Sequence, residues 1–477
     1  MENLENIVGR EKEIHQLGKI LESGKPEFLA VYGRRRVGKT FLIREFFNYR
    51  FSFQISGLAN AKTKQQLFNF HSSLSRQSIL FFDSQPENWL VAFQRLIDHL
   101  ETIESTGKKV VFFDEMPWFD TPGSDFVMGL EHFWNSWASN RKDILLIACG
   151  SAASWMMNEL INNTGGLHNR VTHKMKIEPF SLREAEILLT KKQGNFTRYQ
   201  IVQLYMVLGG IPYYLDVVNP EMSAAQNIQA LIFEKTGFLK NEFFNLYRSL
   251  FKKHEIYEKV VESLSTKLYG MQRSEIVKAS KINSGGTLTK VLANLEESGF
   301  INAYVPIDEK RKNTQYRLSD HYSMFYFKFI KNHPYKGENV WLNMIDNPMA
   351  RAWEGFAFEQ ICLDHIAQIK KKLGIHGVFS KNVVWKGATE NNAAQVDLLI
   401  DRRDQVVNLC EVKFSLGKFT ITKDYAEKLR TKISVFKAVT KTRKSVFLTF
   451  ITTYGIEKNK HAKALVQNEV TMDDLFL

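Results

Sequence analysis

The first 180 residues of the chain predict an α/β fold with a parallel sheet, on three observations. Short apolar runs of strand length recur and alternate with stretches of helical periodicity. A glycine-rich turn follows the first run at residues 28–32, and two acids, Asp114 and Glu115, follow a later run at residues 110–113. Ligands bind at the carboxyl ends of parallel strands, so polar residues at two strand ends favour this class.

The strands of this sheet are predicted at residues 28–32, 51–55, 110–113, 143–149 and 171–177. Helical stretches join them, and the first helix ends before a Gly-Lys-Pro break at residues 24–26. The last strand ends at Glu178-Pro179. From Ser181 the pattern becomes helical, because a capping serine is followed three residues later by a glutamate.

Composition limits the kinds of protein this chain can be. Its 477 residues suggest about three domains, at about 100–200 residues each. The net charge of +13 favours a polyanion such as nucleic acid as partner, although excess lysine also serves solubility. No apolar run approaches the roughly 18–20 residues that span a bilayer. Cys149, Cys362 and Cys410 show no metal-ligand spacing. We therefore expect a cytoplasmic protein with reduced cysteines and no membrane contact.

Residues 33–40 fit the pattern G-x-x-x-x-G-K-[ST], in which a glycine-rich turn joins a strand to a helix. In such a loop, backbone N–H groups face a phosphate, the lysine reaches the outer phosphates, and the hydroxyl binds Mg²⁺. The sequence therefore predicts ATP and Mg²⁺ as cofactors, with Lys39 and Thr40 in these roles. The residues expected to contact the nucleotide are Gly33, Arg36, Val37, Gly38, Lys39, Thr40 and Phe41.

Polar residues after the later strands complete the predicted nucleotide site. Asp114 would hold Mg²⁺, and Glu115 would polarise the attacking water as general base. Ser151 follows the strand at 143–149 and could contact the γ-phosphate, or could cap the next helix. Arg170 could be an arginine finger supplied to a neighbouring subunit, or an ordinary surface residue.

Several segments of the first half carry a family resemblance. GRRRVGKT, VVFFDE, the CGS strand end, EPFSLREAE and LGGIPYYL resemble the archaeal-type ATPases placed among the STAND relatives of AAA+ proteins. The resemblance implies a five-stranded parallel core at residues 1–180, a helical lid at 181–250, and contact of the glycine–proline element, including Pro212, with the nucleotide. Members of the family are regarded as ATP-driven switches.

Residues 251–334 predict three helices followed by a charged β-hairpin, which resembles a winged helix-turn-helix. In a DNA-binding reading, the third helix lies in the major groove and the wing holds the backbone. In the alternative reading, the segment is a spacer or a dimerisation element. The residues expected at DNA are Thr287, Thr289 and Lys290 on the helix and Lys310, Arg311, Lys312 and Arg317 on the wing.

Three charged residues stand inside apolar strands of the C-terminal part. Asp397 lies in the run at 395–401, while Glu411 and Lys413 share one face of the run at 409–414. Buried charges cost several kcal/mol unless they are paired or ligated. Two carboxylates on adjacent strands could bind Mg²⁺, and a nearby lysine could orient or deprotonate a water. This combination suits phosphodiester hydrolysis.

The order of elements around these residues resembles the PD-(D/E)XK nuclease fold, here at residues 335–477. The resemblance implies that Glu359, in the GFAFE segment of the first helix, joins the site, although Val396 stands where the family name has proline. Two alternatives stay open. Glu411 and Lys413 could form a surface ion pair, or the fold could be present without activity.

The sequence as a whole predicts an ATPase switch joined to a DNA-binding winged helix and a metal-dependent nuclease. One rival is a regulator in which ATP controls DNA or protein binding and nothing is cut. A second rival is a motor that forms a homo-oligomer on ATP binding and uses Arg170 in trans.

Overall fold

A computed structural model describes residues 4–251, 253–307, 309–331 and 339–477. The chain forms two compact units, Met1–Pro179 and Phe180–Leu477. The predicted domain boundary between residues 334 and 335 lies outside the described residues, as does Asp308 of the predicted wing.

The first unit alternates strands with helices around a five-stranded sheet. In chain order its elements are α1 (Glu11–Leu21), β1 (Glu27–Tyr32), α2 (Lys39–Phe46), β2 (Phe53–Ser56), α3 (Thr63–Gln77), α4 (Trp89–Glu101), β3 (Lys109–Asp114), α5 (Phe126–His132), β4 (Ile144–Gly150), α6 (Ala153–Trp155) and β5 (His173–Lys176). The strand order is β2-β3-β4-β1-β5, and every pairing is parallel. The predicted α/β class and parallel core are confirmed.

The core of this unit explains why its central strands are apolar throughout. β3 and β4 are buried at every position, because helices cover the sheet and leave no solvated face. Aromatic rings fill one side, among them Trp89, Phe93 and Phe126, whose centroids lie 4.9–6.1 Å apart. The apolar ladders therefore fix the register that brings the strand ends 32, 56, 114 and 150 to one edge.

The second unit begins with helices. These are α7 (Leu182–Lys191), α8 (Arg198–Leu208), α9 (Pro212–Asp216), α10 (Ala224–Ile228) and α11 (Glu242–Leu250). Ser181 caps α7 as expected, because its hydroxyl accepts the Glu184 N–H while the Glu184 carboxylate accepts the Ser181 N–H. A Cβ on Gly210 would lie 1.8 Å from the carbonyl oxygen of Phe180, so this turn requires glycine.

Three helices and a small antiparallel sheet follow. The elements are α12 (His254–Ser265), β6 (Met271–Gln272), α13 (Arg273–Ser280), α14 (Gly286–Glu297), β7 (Ile301–Tyr304), β8 (Gln315–Leu318) and α15 (His321–Phe325). β8 lies between β6 and β7. This order agrees with the expected sequence of three helices and a hairpin, and the winged-helix assignment itself stays a prediction.

The last segment forms a second five-stranded sheet. Its elements are α16 (Pro348–Asp364), α17 (Ile366–Lys372), β9 (Ser380–Ala388), β10 (Ala393–Arg402), β11 (Val406–Lys413), α18 (Lys423–Thr440), β12 (Ser445–Thr452), α19 (Lys460–Leu465) and β13 (Asn468–Thr471). The strand order is β13-β12-β11-β10-β9, with β9 to β11 antiparallel and β11 to β13 parallel.

Helical periodicity in the sequence predicts one long helix over about residues 349–373, and this prediction is wrong, because the helix is interrupted at His365. This residue has φ −108° and ψ 30°, and its imidazole Nε2 accepts the Leu182 N–H at 2.9 Å. A tertiary contact that the local sequence does not encode therefore ends α16.

No helix in the described part of the chain is both long enough and apolar enough to cross a membrane. Cys149, Cys362 and Cys410 are all buried and carry free thiols.

Candidate functional sites

The loop at residues 33–40 joins β1 to α2 and closes around a lysine. The side chain of Lys39 is buried, and its Nζ donates to the carbonyl oxygens of Gly33 at 3.1 Å and Arg34 at 2.9 Å. Its ammonium is thus held inside the curve of the loop, where such a lysine meets the outer phosphates. Gly38 has φ +86°, a left-handed conformation that places the start of α2 behind the loop.

Gly33 is required by a close backbone approach as well as by its torsion angle. Its φ is +142°, and a Cβ there would lie 2.3 Å from the carbonyl oxygen of Ile177. The segment after β5 therefore packs directly against the start of the loop. Any side chain at position 33 would push these two backbones apart.

Thr40 and Asp114 meet at the edge of the sheet. The Thr40 hydroxyl donates to Asp114 Oδ1 at 2.8 Å, and the Ser56 hydroxyl donates to Asp114 Oδ2 at 3.2 Å. The register that pairs Ser56 with Asp114 on adjacent strands brings the second hydroxyl into place. Sequence reasoning missed Ser56, although a polar residue at the end of a neighbouring strand was the available signal.

Glu115 and Ser151 form a second pair beside the loop. Ser151 donates its N–H to Glu115 Oε2 at 3.2 Å and its hydroxyl to Glu115 Oε1. Glu115 has φ +46°, which is uncommon for a residue with a side chain and often marks a functional position. Of the two readings of Ser151, its bonds to Glu115 favour a role in the site.

The remaining loop residues lie in different surroundings. Arg36 has φ +71°, Val37 is buried, and Phe41 is 48% exposed on α2. The guanidinium of Arg10, at the start of α1, donates to the Val37 carbonyl oxygen at 3.1 Å, a contact that the sequence did not predict. Pro212 opens α9 in the second unit, and its contact with the nucleotide stays a prediction.

The C-terminal carboxylate site consists of Asp397, Glu411, Lys413 and Glu359. The pairing of Leu398 with Cys410 makes Asp397 and Glu411 the next opposed positions of β10 and β11. A bulge between Val396 and Leu399, in the pairing of β10 with β9, reorients the chain at Asp397. The two carboxylates therefore approach each other as the sequence predicted, although the bulge was not predictable.

Glu411 is held by three side chains. Lys413 Nζ lies 2.8 Å from Oε1, Lys432 Nζ forms an ion pair with Oε2, and the Tyr425 hydroxyl donates to Oε1. Burial acts to raise the pKa of Glu411, but Lys413 and Lys432 outweigh burial and lower it. Sequence reasoning missed Lys432 and Tyr425. Their signal was weak, since both lie on an amphipathic helix rich in lysine.

Lys413 is therefore a cation in this site. Burial acts to lower its pKa, but Glu411 raises the pKa above its usual range, so the ammonium stays charged. Of the two roles expected for Lys413, orienting a water fits this environment, and deprotonating a water does not.

The other two carboxyl groups show the opposite shift. Burial, followed by the neighbouring Glu411, raises the pKa of Asp397, whose Oδ2 accepts the Val412 N–H at 3.0 Å. Burial, followed by Asp397, raises the pKa of Glu359 to about 8. Carboxyl groups crowded in an apolar setting behave in this way. A bound cation would relieve the repulsion among them.

The oxygen ligands of the carboxylate site are of the kind that a cation prefers, but few of them lie close together. Carboxylate oxygens suit Mg²⁺, which is often bound through one or two carboxylates with water and phosphate oxygens completing the shell. Glu359 Oε2 is buried without a hydrogen-bond partner among the described residues. Within that part of the chain, no three His, Cys, Asp or Glu side chains are grouped as a metal site. Asp397 and Glu359 are the better candidates, because Glu411 is already paired.

The predicted DNA contacts divide into exposed and buried residues. Thr287, Thr289 and Lys290 lie on the exposed face of α14, and Lys310, Arg311 and Lys312 are exposed before β8. The prediction that Arg317 contacts DNA from the wing is wrong for this arrangement, because Arg317 is only 4% exposed. It lies on β8, and its side chain is buried within the second unit.

Residues 7–218 match a family described as an ATPase domain predominantly from Archaea. The chain carries an archaeal-type ATPase domain. The match to the ATPase domain continues beyond Pro179 and takes in α7, α8 and α9 of the second unit. The resemblance inferred from the sequence is confirmed for this domain, while the nuclease-like and winged-helix segments lie outside the match.

Other proteins are similar to this chain over ranges longer than the ATPase domain. An uncharacterized protein of Methanocaldococcus jannaschii is 25% identical over 412 residues, 86% of this chain and 87% of its own. A Walker-type ATPase of Pyrococcus abyssi has a TM-score of 0.51 at 19% identity, over 69% of this chain and 97% of its own. The ORC2 protein of Aeropyrum pernix, solved in ADPNP–ADP complexes, has a TM-score of 0.43 at 15% identity, over 72% of this chain and 95% of its own. At these identities the Pyrococcus likeness concerns the fold alone.

Proposed function

We propose that this chain is a Mg²⁺-dependent ATP hydrolase whose nucleotide state controls a DNA-binding segment and a metal-dependent phosphodiesterase. The observation that carries the hydrolase part is the convergence of Lys39, Thr40, Asp114 and Glu115 at one sheet edge inside an ATPase domain. Lys39 binds the outer phosphates. Thr40 and Asp114 would hold Mg²⁺, which would supply positive charge to offset the charge that develops on the transferred phosphoryl group.

Glu115 performs the proton transfer in hydrolysis. Its carboxylate accepts a proton from a water whose oxygen attacks the γ-phosphorus, and the bond to ADP breaks. Ser151 positions Glu115 through two hydrogen bonds, so the base is oriented before ATP arrives. A carboxylate can accept further hydrogen bonds beyond these two, which leaves room for the water.

The hydrolase is tested by phosphate release from ATP. Lys39→Ala is expected to lose ATP binding, whereas Glu115→Gln is expected to keep binding and lose at least about a hundredfold in kcat. Glu104→Gln, an exposed acid of the same unit, is the matched control and keeps full activity. Equal phosphate release by wild type and Glu115→Gln would contradict the assignment of the base.

The phosphodiesterase proposal rests on Asp397, Glu411 and Lys413 together with Glu359. The carboxylates would hold a divalent cation, which would supply Lewis-acid chemistry to a water or a phosphate oxygen at this site. Lys413, kept charged by Glu411, would stabilise negative charge on the phosphate. DNA is the favoured substrate, since the protein carries a net charge of +13 and an exposed basic segment near residues 310–312.

Cleavage of plasmid and single-stranded DNA with Mg²⁺ or Mn²⁺ tests this activity. Asp397→Asn and Lys413→Ala are expected to abolish it, and Lys418→Ala, an exposed lysine after β11, is expected to leave it intact. Contaminating nuclease would persist in all three variants. Equal cleavage by all of them would remove the C-terminal site from the proposal.

DNA binding by the winged-helix segment is tested separately. A triple alanine variant at Lys310, Arg311 and Lys312 is expected to weaken DNA binding. It should also flatten the salt dependence of the binding constant, because up to about three fewer counterions are released from the DNA. An unchanged salt slope would assign binding to another surface.

One observation favours a second function, an ATP-gated binder that cuts nothing. Both oxygens of Glu411 are already engaged with lysine and tyrosine side chains. If DNA binds and no metal condition supports cleavage, the binder is the better description. A motor is distinguished by sizing with ATP, since Arg170, exposed in the first unit, should then be needed for assembly.

A further inference from the structure

The outer edge of β2 is covered by amide side chains of α3. β2 is an edge strand of the first sheet, so the outward N–H and C=O groups of alternate residues need partners from another element. Gln77 donates to the Gln54 carbonyl oxygen and accepts the Gln54 N–H, both at 2.9 Å. The Asn69 amide donates to the Ser56 carbonyl oxygen at 2.9 Å. α3 therefore fixes the backbone of β2 up to its last residue, Ser56.

The segment that follows β2 is fastened in the same way. Gln66 of α3 accepts the Leu58 N–H at 3.1 Å, and its amide donates to the carbonyl oxygens of Leu58 at 2.7 Å and Trp118 at 2.9 Å. The Gly57 N–H donates to the Asp114 carbonyl oxygen at 2.9 Å. The end of β2 is thereby held against the end of β3 and the turn after it.

Each oxygen of the Asp114 carboxylate has its own neighbours. Oδ1 accepts the Thr40 hydroxyl at 2.8 Å and the Glu115 N–H at 3.1 Å. Oδ2 accepts the Ser56 hydroxyl at 3.2 Å, and Arg44 Nη2 lies 3.8 Å from the same oxygen. Rotation of the carboxylate would break bonds on both sides, so Ser56 helps to keep Oδ1 turned toward Thr40. Because the Thr40 hydroxyl donates its proton to Asp114, the lone pairs of its oxygen stay available to a cation.

We propose that Ser56, held by α3, is a positioning residue of the nucleotide site, which sets the orientation in which Asp114 and Thr40 receive Mg²⁺. This inference rests on the proposed Mg²⁺-dependent hydrolase. Ser56 acts through Asp114 and needs no contact with the nucleotide. Removing a hydrogen-bond partner of a metal ligand commonly lowers metal affinity by about 10–100-fold. Ser56 is exposed, so its hydroxyl contributes little to folding, and its removal should be felt at the metal.

Nucleotide binding with and without metal tests the proposal. A fluorescent, non-hydrolysable ATP analogue is titrated into each protein, once with Mg²⁺ and once with EDTA. The ratio of the two dissociation constants measures how far Mg²⁺ tightens binding. Ser56→Ala is expected to reduce this ratio by about tenfold, the lower end of that range, and to leave the metal-free dissociation constant unchanged. Ser56→Thr keeps the hydroxyl and is expected to stay near wild type. Ser75→Ala, an exposed serine of α3, is the matched control.

A second variant tests the part assigned to α3. Asn69→Ala removes the donor to the Ser56 carbonyl oxygen and keeps the Ser56 hydroxyl in the chain. It is expected to reduce the same ratio by less than Ser56→Ala does. The double variant should then match Ser56→Ala alone, because both substitutions act through one hydroxyl. Additive losses in the double variant would overturn the part assigned to α3.

The outcomes separate this inference from the proposed function. An unchanged ratio in Ser56→Ala, with Mg²⁺ still tightening binding in wild type, overturns the role of Ser56 and leaves the hydrolase standing. A loss of metal-free affinity in Ser56→Ala also overturns it, since the serine would then support the loop and not the metal. If wild type fails to bind the analogue, or binds it equally with Mg²⁺ and with EDTA, both the inference and the Mg²⁺-dependent hydrolase fail.

Discussion

Replacing Lys432 with methionine tests whether the charges around Glu411 are an interdependent set. Lys432 is 19% exposed and pairs with Glu411 Oε2, while Lys413 and Tyr425 bind Oε1. Removing the sole partner of a buried charge costs about 3–5 kcal/mol. Since two partners remain, we expect a loss of about 2 kcal/mol, below that range. Methionine keeps the apolar stem, so the change reports mainly on charge.

Differential scanning calorimetry measures the effect. In a domain of about 150–250 residues, each kcal/mol of lost stability lowers the unfolding temperature by about 2–4 °C, so the transition should fall by about 4–8 °C. Lys428→Met, one turn earlier and exposed on α18, is the matched control and should change the transition by less than about 1 °C. Adding Glu411→Gln to Lys432→Met should recover part of the loss, because no unpaired charge is then buried. A transition in Lys432→Met equal to that of Lys428→Met would refute the reasoning.

Three further predictions concern other parts of the chain. Ser151→Ala should lower the kcat of ATP hydrolysis by about tenfold, with ATP affinity unchanged in a fluorescent-analogue titration, because the general base loses one orienting bond. Unchanged kcat would remove that role. Gly210→Ala should lower the thermal unfolding temperature of the second unit, since its Cβ would lie 1.8 Å from the Phe180 carbonyl oxygen. An unfolding temperature equal to that of wild type would show that the turn adjusts without cost. Arg141 lowers the pKa of Asp143 to about 2, so the stability that Asp143→Asn removes should be present above about pH 4 and disappear as pH falls toward 2. The Arg141 and Asp143 side chains are 31% and 28% exposed, so solvent screens the pair, and urea unfolding at each pH should give a difference below about 1 kcal/mol. A difference that stays constant across that pH window would contradict the ion pair.

Local sequence predicted most of the candidate nucleotide site, because the residues that form it are close together along the chain or follow a strand. The turn, Lys39 and Thr40 are neighbours in the chain, and Asp114 and Glu115 follow a strand whose direction the parallel sheet imposes. The family match and the observed topology confirm the ATPase domain and the parallel α/β core. Ser56 was missed, because nothing local indicates which strand will be the neighbour of β3.

The sequence predicted only some of the residues of the C-terminal carboxylate site. Charges within apolar strands identified Asp397, Glu411 and Lys413, since burial of isolated charge is costly and therefore informative. Lys432 and Tyr425 were not identified, because their approach to Glu411 depends on how α18 packs. The metal, nuclease and DNA roles assigned to these segments stay predictions.

What the sequence by itself determined is the set of local elements and the glycine-rich loop at residues 33–40, because hydrophobic periodicity and glycine placement act over a few residues. Only the tertiary structure decided where separate segments meet: the break at His365, the bulge at Asp397, and the burial of Arg317. From the sequence alone, an arginine in a charged hairpin is predicted to lie at the surface. Its burial depends on how β8 packs between β6 and β7 and against α12, and packing between separate segments leaves no local pattern.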